Sequence, residues 1–419
     1  MTGRSLLHYV SLDGAGGVEL QFVEFLHAAA CLADYRHAVV ACGKTVHPLV
    51  ARQLAEAGVA VTFEKYAGAV KLPKWPAALR AARQRHVVST QQPQAVIIWN
   101  RLRDSLDTLA AAGAERCVYW ERGASWFAGE SPAKRRFIAE VQAVLCNSLA
   151  AKRMLELRWS YAGQVQVIPN ALRPSLKPAS TRPRELPDQG PVRLGLVARL
   201  QPIKGVALAI QALTVLRARG YDVSLHIAGD GPERARLEAL AGRLGLGERV
   251  LFAGLVEDMA AFYRDIDLLV HPALREPFGQ IAVEANAYGI PAVVAAVDGL
   301  VEVITDGVTG LCVRPSLPLA DYAGLGGGTE DLPPFVYDPA TDTIGPPRLV
   351  DPHGLAEAIM RILDDRPGYR GMSAAAIRAV DARFDFDMHV RRALAAVSGF
   401  AATGRLPVTE GIPGGAGHE

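Results

Sequence analysis

Short runs of consecutive apolar residues alternate along the chain with longer segments whose apolar positions recur every three to four residues. Runs at 5–12, 37–41, 59–63, 95–99, 117–120, 143–146 and 165–168 are too short for buried helices and read as strands. Helix-period segments lie between most of them; within 18–30, Val18, Phe22, Phe25 and Leu26 fall on one side. Strands that are apolar throughout are buried on both faces, as in a parallel sheet, so the alternation predicts βαβ units. It stops where Pro174, Pro178, Pro183, Pro187 and Pro191 recur, a spacing that neither a helix nor a central strand tolerates. It restarts with strands at 193–197, 223–228, 250–252, 268–271, 292–295 and 310–313 and helices at 205–219, 233–244, 258–263, 280–288 and 355–363.

The pattern predicts an α/β protein of two doubly wound domains, 1–173 and 192–385, joined by a linker at 174–191. Ligands belong at the C-terminal ends of their strands. Residues 315–352, with Gly326-Gly327-Gly328, Pro333-Pro334 and Pro346-Pro347, form an insertion longer than ordinary loops. A lid, a partner contact and a disordered segment are all open for it. A helix is expected at 386–400, followed by a Gly/Pro-rich flexible tail at 401–419.

Composition changes this picture little. Of 419 residues, 50% are hydrophobic and 21% charged, which excludes global disorder. The formal net charge of +2 hides an asymmetry: residues 1–180 carry +9 and the remainder −7. A basic first half suits an anionic membrane, a phosphate-bearing acceptor or simply a solvated surface. Nucleic acid is not indicated, because no binding motif accompanies the charge. The five cysteines are widely spaced without a C-x-x-C, so neither a disulfide framework nor a zinc site is indicated, and no His/Asp cluster has metal spacing. No apolar run approaches a membrane span, and the N-terminal run is too short for a signal sequence; a cytoplasmic protein is expected, with any membrane contact peripheral.

The strongest chemical signal is Arg275-Glu276-Pro277-Phe278-Gly279-Gln280-Ile281-Ala282-Val283-Glu284, between the strand at 268–271 and a helix. A helix N-terminus offers free N–H groups to a phosphate, and Gly279 lets backbone approach a ligand. Glu276 and Glu284 are too far apart to share a proton. They suit hydrogen bonds to two hydroxyl-bearing parts of one ligand, or are ordinary helix-start and surface glutamates. His271, before Pro272, reads as a strand-end structural histidine.

This decapeptide resembles the E-x7-E signature of retaining glycosyltransferases of the GT-B fold, glycosyltransferase family 4 in particular. The surroundings agree in order: Val167-Ile168-Pro169-Asn170, Gly195 through Arg199 to Lys204-Gly205, Ala228-Gly229-Asp230-Gly231-Pro232, Gly289-Ile290-Pro291, Gly299, and Asp306 to Leu311. The likeness is dense from about 192 to 313 and thin before 148. It implies two Rossmann-like domains facing a cleft and transfer of a sugar from a UDP- or GDP-linked donor to an acceptor hydroxyl with configuration kept. It implies no metal or other cofactor. Arg199 and Lys204 then hold the donor diphosphate, Glu276 the sugar hydroxyls and Glu284 the ribose hydroxyls. Phe278, Gly279 and Gln280 present backbone to sugar and phosphate. Leu255 and Val256 fall where the base is contacted, or else they simply pack. The helix at 386–400 is expected to cross back to the first domain.

In the first half, Gly16 and Gly17 resemble the family's glycine loop, while Glu19 stands where a Rossmann G-x-G-x-x-G needs glycine, which disfavours NAD. Glu121 and Arg122 stand near a position where many members have histidine; an acceptor-orienting role and a structural ion pair are both open. The basic stretch 71–85 around Trp75 suits an anionic membrane surface or a solvated helix. The acceptor expected is a glycan, a lipid-linked glycan or a small molecule, in envelope polysaccharide or lipopolysaccharide synthesis at the inner face of the plasma membrane. A nucleotide-sugar epimerase and a non-catalytic nucleotide-sugar-binding subunit are the alternatives.

Overall fold

The computed structural model describes residues 4–407 except 15, 33, 34, 69, 74, 77, 103, 104 and 128. Ala15 of the glycine loop, Lys74 of the basic stretch and residues 408–419 of the expected tail lie outside the described residues. The chain divides into two compact units, one made of 1–170 with 386–419 and one of 171–385.

The first unit holds strands β1 (Arg4–Val10), β2 (Tyr35–Ala41), β3 (Val61–Phe63), a small antiparallel hairpin of β4 (Tyr66–Ala67) and β5 (Val70–Lys71), then β6 (Ala95–Trp99), β7 (Cys117–Glu121), β8 (Ala143–Cys146) and β9 (Gln164–Val167). Seven of them form one parallel sheet in the order β3-β2-β1-β6-β7-β8-β9. The order turns back between β1 and β6, so the two following loops leave in opposite directions and open a crevice at that switch point. Helix Phe386–Thr403 belongs to this unit and packs against helix Gly17–Leu32. It runs past 400, and the expected flexible tail is corrected in part: Gln164 donates to Gly404 O (2.8 Å) and accepts from Leu406 N (2.7 Å).

The second unit carries β10 (Val192–Val197), β11 (Val223–Ala228), β12 (Val250–Gly254), β13 (Leu268–His271), β14 (Ala292–Ala295) and β15 (Gly310–Val313), in the parallel order β12-β11-β10-β13-β14-β15. Its switch point lies between β10 and β13. The proline-rich stretch expected as the interdomain linker belongs to this unit and runs over it. With few N–H groups to pair, it is fixed by side chains: Ser373 Oγ accepts from Arg184 N (2.8 Å), and Thr181 Oγ1 donates to Ala287 O (3.0 Å). The insertion at 315–352 is likewise part of the packed unit. It contributes the antiparallel pair β16 (Val336–Asp338) and β17 (Thr343–Gly345), and buries Tyr322, Tyr337 and Leu349. The reading of a disordered segment is corrected.

Candidate functional site

At the switch point of the second unit, β13 ends at His271 because Pro272 has no N–H to continue the ladder. The chain turns and enters helix Gln280–Ala287 through Gly279, which adopts φ +102°. A Cβ there would stand 2.9 Å from Leu300 Cδ2. From the neighbouring strand, β10 leads through Arg199 to a 3-10 turn, Pro202–Lys204, closed by Gly205 at φ +67°. A Cβ on Gly205 would fall 1.9 Å from Pro272 O, so the two turns touch backbone to backbone.

That approach brings Lys204 and Glu276 together. Glu276 Oε2 accepts from Lys204 Nζ at 2.7 Å and from His271 Nε2 at 3.1 Å. Its side chain is 14% exposed. Burial alone would push the carboxyl up, but the Lys204 ammonium and the His271 ring outweigh it and hold it well below the usual carboxylate range. Burial lowers the His271 pKa, so the imidazole is neutral at pH 7 and Nε2 carries the proton it gives to Glu276. His271 is a buried strand-end histidine, as expected, and it also steadies Glu276. Behind this loop, buried Asp298 accepts from Glu276 N (2.9 Å) and, with its other oxygen, from Tyr337 N (2.7 Å). The insertion therefore braces the Glu276 turn.

Two helical turns on, Glu284 is buried between Arg173 Nη2 (3.1 Å) and Tyr263 OH (2.8 Å). Gln280 donates to Ala171 O (3.0 Å), while its Oε1 is buried without a partner. Arg199 is exposed, and no side-chain partner of it is found among the described residues. The Phe278 ring is core, edge-on to Phe384 at 6.0 Å, so only its backbone is left for a ligand. Leu255, 81% exposed, does not pack as the bland reading has it; Val256 is half-buried. Arg173, Tyr263, His271 and Asp298 carry no motif spacing of their own. Only Asp298, an aspartate directly before a glycine, offered a turn signal.

In the first unit, Gly16 and Gly17 are exposed at the head of helix Gly17–Leu32. Glu121, at the end of β7, is fully buried. Its oxygens accept from Tyr119 OH (2.6 Å), Gly123 N (2.6 Å) and Ser125 N (3.1 Å), so it shapes its own loop, and the acceptor-orienting role is corrected. Neither is it half of an ion pair with Arg122, whose Nη2 bonds Gln21 Oε1 (2.5 Å) and Asn170 Oδ1 (2.7 Å). The Arg122 guanidinium lies over Trp99 and Trp120, and its Nε and Nη1 are buried without partners. Burial pushes its pKa down to about 9, against the pull of Glu19, which still leaves it charged at pH 7. Among the described residues no group of three or more His, Cys, Asp or Glu is placed to hold a metal ion, and no helix is long and apolar enough to cross a membrane.

Residues 179–322 match the family described as Glycosyl transferases group 1, a stretch that spans β10 to β15 and both ends of the Lys204–Glu276 contact. The matched stretch lies within the second unit. A glycosyltransferase of Methanocaldococcus jannaschii is 40% identical over 124 residues, 29% of this chain and 32% of that protein. A D-inositol 3-phosphate glycosyltransferase of Stackebrandtia nassauensis is 32% identical over 200 residues, 43% of this chain and 44% of that protein. The chain thus spans less than half the length of these curated relatives. Over nearly the whole chain the likeness is one of fold: Anabaena HepE, solved with UDP and glucose, superposes with a TM-score of 0.70 at 20% identity, covering 94% of this chain and 100% of that one. The two Rossmann-like parallel-sheet units are those of the GT-B fold.

Proposed function

We propose that the chain is a retaining glycosyltransferase that passes a hexosyl group from a nucleoside-diphosphate sugar to an acceptor hydroxyl. The observation that carries this reading is the Lys204–Glu276–His271 cluster at the β10/β13 switch point, at the head of the helix that bears Glu284. That HepE was solved with UDP and glucose supports a UDP-linked donor over a GDP-linked one. The proposed setting is envelope polysaccharide or lipopolysaccharide synthesis at the inner face of the plasma membrane.

In this reading Arg199 and Lys204 put positive charge beside the departing diphosphate, where negative charge builds as the sugar–oxygen bond breaks. An oxygen of the leaving phosphate takes the proton of the acceptor hydroxyl, whose oxygen bonds the anomeric carbon on the same face. Configuration is kept and no protein nucleophile is needed. Glu276, held ionised, accepts from sugar hydroxyls. Each Glu284 oxygen has a second lone-pair direction beyond its bond to Arg173 or Tyr263, and these suit the ribose hydroxyls. A metal is not part of the proposal.

Thermal unfolding with UDP, GDP, ADP and NAD, on wild type and Glu284→Ala, tests it. Ligand at about 100 times its Kd adds about 2.7 kcal/mol. Stabilisation by one nucleoside diphosphate, lost in Glu284→Ala, is the expected result. Stabilisation by NAD alone, or by none of the four, would overturn the reading. Release of free nucleoside diphosphate from the matching donor separates transfer from epimerisation and from mere binding.

A further inference from the structure

The first unit encloses a second site of its own. A cavity of about 650 Å³ opens at the C-terminal ends of β1, β2, β6 and β7, beside that unit's switch point. Six basic side chains line it: Lys44, Lys65, Lys71, Arg80, Arg101 and Lys134. They come from six separate places: the loop after β2, the turn before β4, strand β5, the first turns of helices Ala78–Gln91 and Pro132–Glu140, and the loop after β6. Among the described residues only Arg101 of these is ion-paired, with Glu64 at 2.9 Å. Among the described residues the acid in the wall is Asp13, whose Oδ1 accepts from Lys44 N and Thr45 N, both at 3.2 Å. Among the described residues no carboxylate pairs with Lys44, Lys65, Lys71, Arg80 or Lys134, and the buried Arg80 Nε has no partner.

Five cations without a carboxylate partner around one concavity repel each other, and the nearby charges of Asp13 and Glu64 offset them only in part. A surface that was only soluble would disperse them or pair them. The volume lies in the range of small-molecule sites and is wrong for a groove that tracks a nucleic-acid backbone. Beside the charges, Leu102, Tyr66 and Phe127 give the wall an apolar part against which a sugar ring or polyol carbon face can lie.

We propose that this cavity binds an anionic, phosphate-bearing acceptor. The phosphoryl group is held by the Lys44, Lys65, Lys71, Arg80 and Lys134 side chains, and a hydroxyl of the same molecule is the group that receives the sugar. Calling the ligand an acceptor rests on the transferase reading above; the phosphate site itself does not. A phosphorylated sugar in solution and the phosphate of a lipid headgroup present the same chemistry to these cations.

The test is calorimetric titration of the full chain at low salt with inorganic phosphate, glucose 6-phosphate and glucose, and co-sedimentation with vesicles of phosphatidylglycerol or of phosphatidylcholine. Wild type is compared with Lys44→Gln/Lys65→Gln, whose side chains anchor no part of the fold, with Lys71→Gln/Lys134→Gln as a second pair, and with Arg243→Gln in the other unit as the charge control. Glucose 6-phosphate should bind at least about tenfold tighter than glucose, weaken as salt is raised, and lose about tenfold or more in each double variant but not in Arg243→Gln. That result identifies a soluble acceptor. Binding to phosphatidylglycerol but not phosphatidylcholine, lost in the same variants, identifies a headgroup instead. No preference for the phosphorylated probes, or an equal preference in the double variants, overturns the proposal. If phosphate binds as stated while no nucleoside diphosphate stabilises the chain, the transferase reading fails and the anion site stands.

Discussion

Glu276 is the residue on which most of the local chemistry converges. Its carboxylate is partnered by one full charge and one neutral ring, and its amide by Asp298. Because its folded-state pKa is held below the ordinary 4.5, the unfolded chain takes up its proton first. The stability this contributes is complete above that ordinary value and disappears as pH falls toward the folded pKa. Glu276→Gln should therefore cost about 1.5–3 kcal/mol at pH 7, the worth of a hydrogen bond to a charged group. It should also flatten the loss of stability between pH 5 and 2 seen in urea titrations of wild type; an unchanged slope would mean that the Lys204 contact does not form in solution. Glu284 makes the complementary case. Removing Arg173 leaves its buried carboxylate with Tyr263 alone, so Arg173→Met should weaken UDP by about tenfold in calorimetry, the worth of one charge-assisted hydrogen bond. Lys204, Glu276 and Glu284 could be picked out in the sequence because they sit at fixed offsets from glycines and prolines that shape the turns. Arg173 and Tyr263 could not, because each reaches the site from another element and only the folded register brings it there. Glu121 and Arg122 mark the opposite failure: strand-end polar residues placed in the right loop, of which Glu121 is consumed by its own backbone.

At the scale of elements, the strands were the legible part. The runs at 95–99, 143–146, 268–271, 292–295 and 310–313 coincide with β6, β8, β13, β14 and β15, since a parallel strand buried on both faces writes itself as an apolar run. The hairpins β4–β5 and β16–β17 left no such mark, because two or three residues per strand show no period. The insertion lacks periodicity for the same reason. It holds to the unit by single anchors: Tyr322 OH on Pro202 O (2.8 Å), Tyr337 N on Asp298, and Glu233 Oε2 accepting from Gly328 N (2.8 Å). Turns at the switch point depend on two glycines in different ways. Gly279→Ala meets a left-handed φ and one movable leucine methyl, so a cost of about 1–3 kcal/mol is expected with the fold kept. Gly205→Ala meets the same kind of φ and a backbone carbonyl at 1.9 Å, which cannot yield without parting the turns after β10 and β13. It should lose more stability than Gly279→Ala in denaturant titrations, together with the Lys204–Glu276 contact. Equal losses would show that the carbonyl moves freely.

At the scale of the whole chain, the decisive feature is that the last helix serves the first unit although the sequence reaches it only after completing the second. Helix Phe386–Thr403 buries Phe386, Val390, Leu394, Val397 and Phe400, and lays His389 against Trp120 with Nδ1 donating to Pro169 O at 2.7 Å. Burial of each such apolar side chain contributes roughly 1.5–3 kcal/mol, so together they approach the 5–15 kcal/mol that holds a typical domain. His389 adds a condition of its own. Burial, then the Arg122 charge, push its pKa down to about 3, so the unfolded state gains a proton there as pH falls below about 6.5 and the helix's hold weakens in acid. Ending the chain after Asp385 should thus unfold the first unit and spare the second. Hydrogen exchange should report lost protection in β1 and β6 with protection retained in β10 and β13. Ending it after Pro407 keeps the helix and the Gln164 contacts with Gly404 and Leu406, and should leave both patterns as in the full chain. Protection of β1 and β6 surviving the first truncation would mean that the helix covers the first unit without supporting it, and equal loss in β10 and β13 would mean that the two units do not fold as separate cooperative bodies.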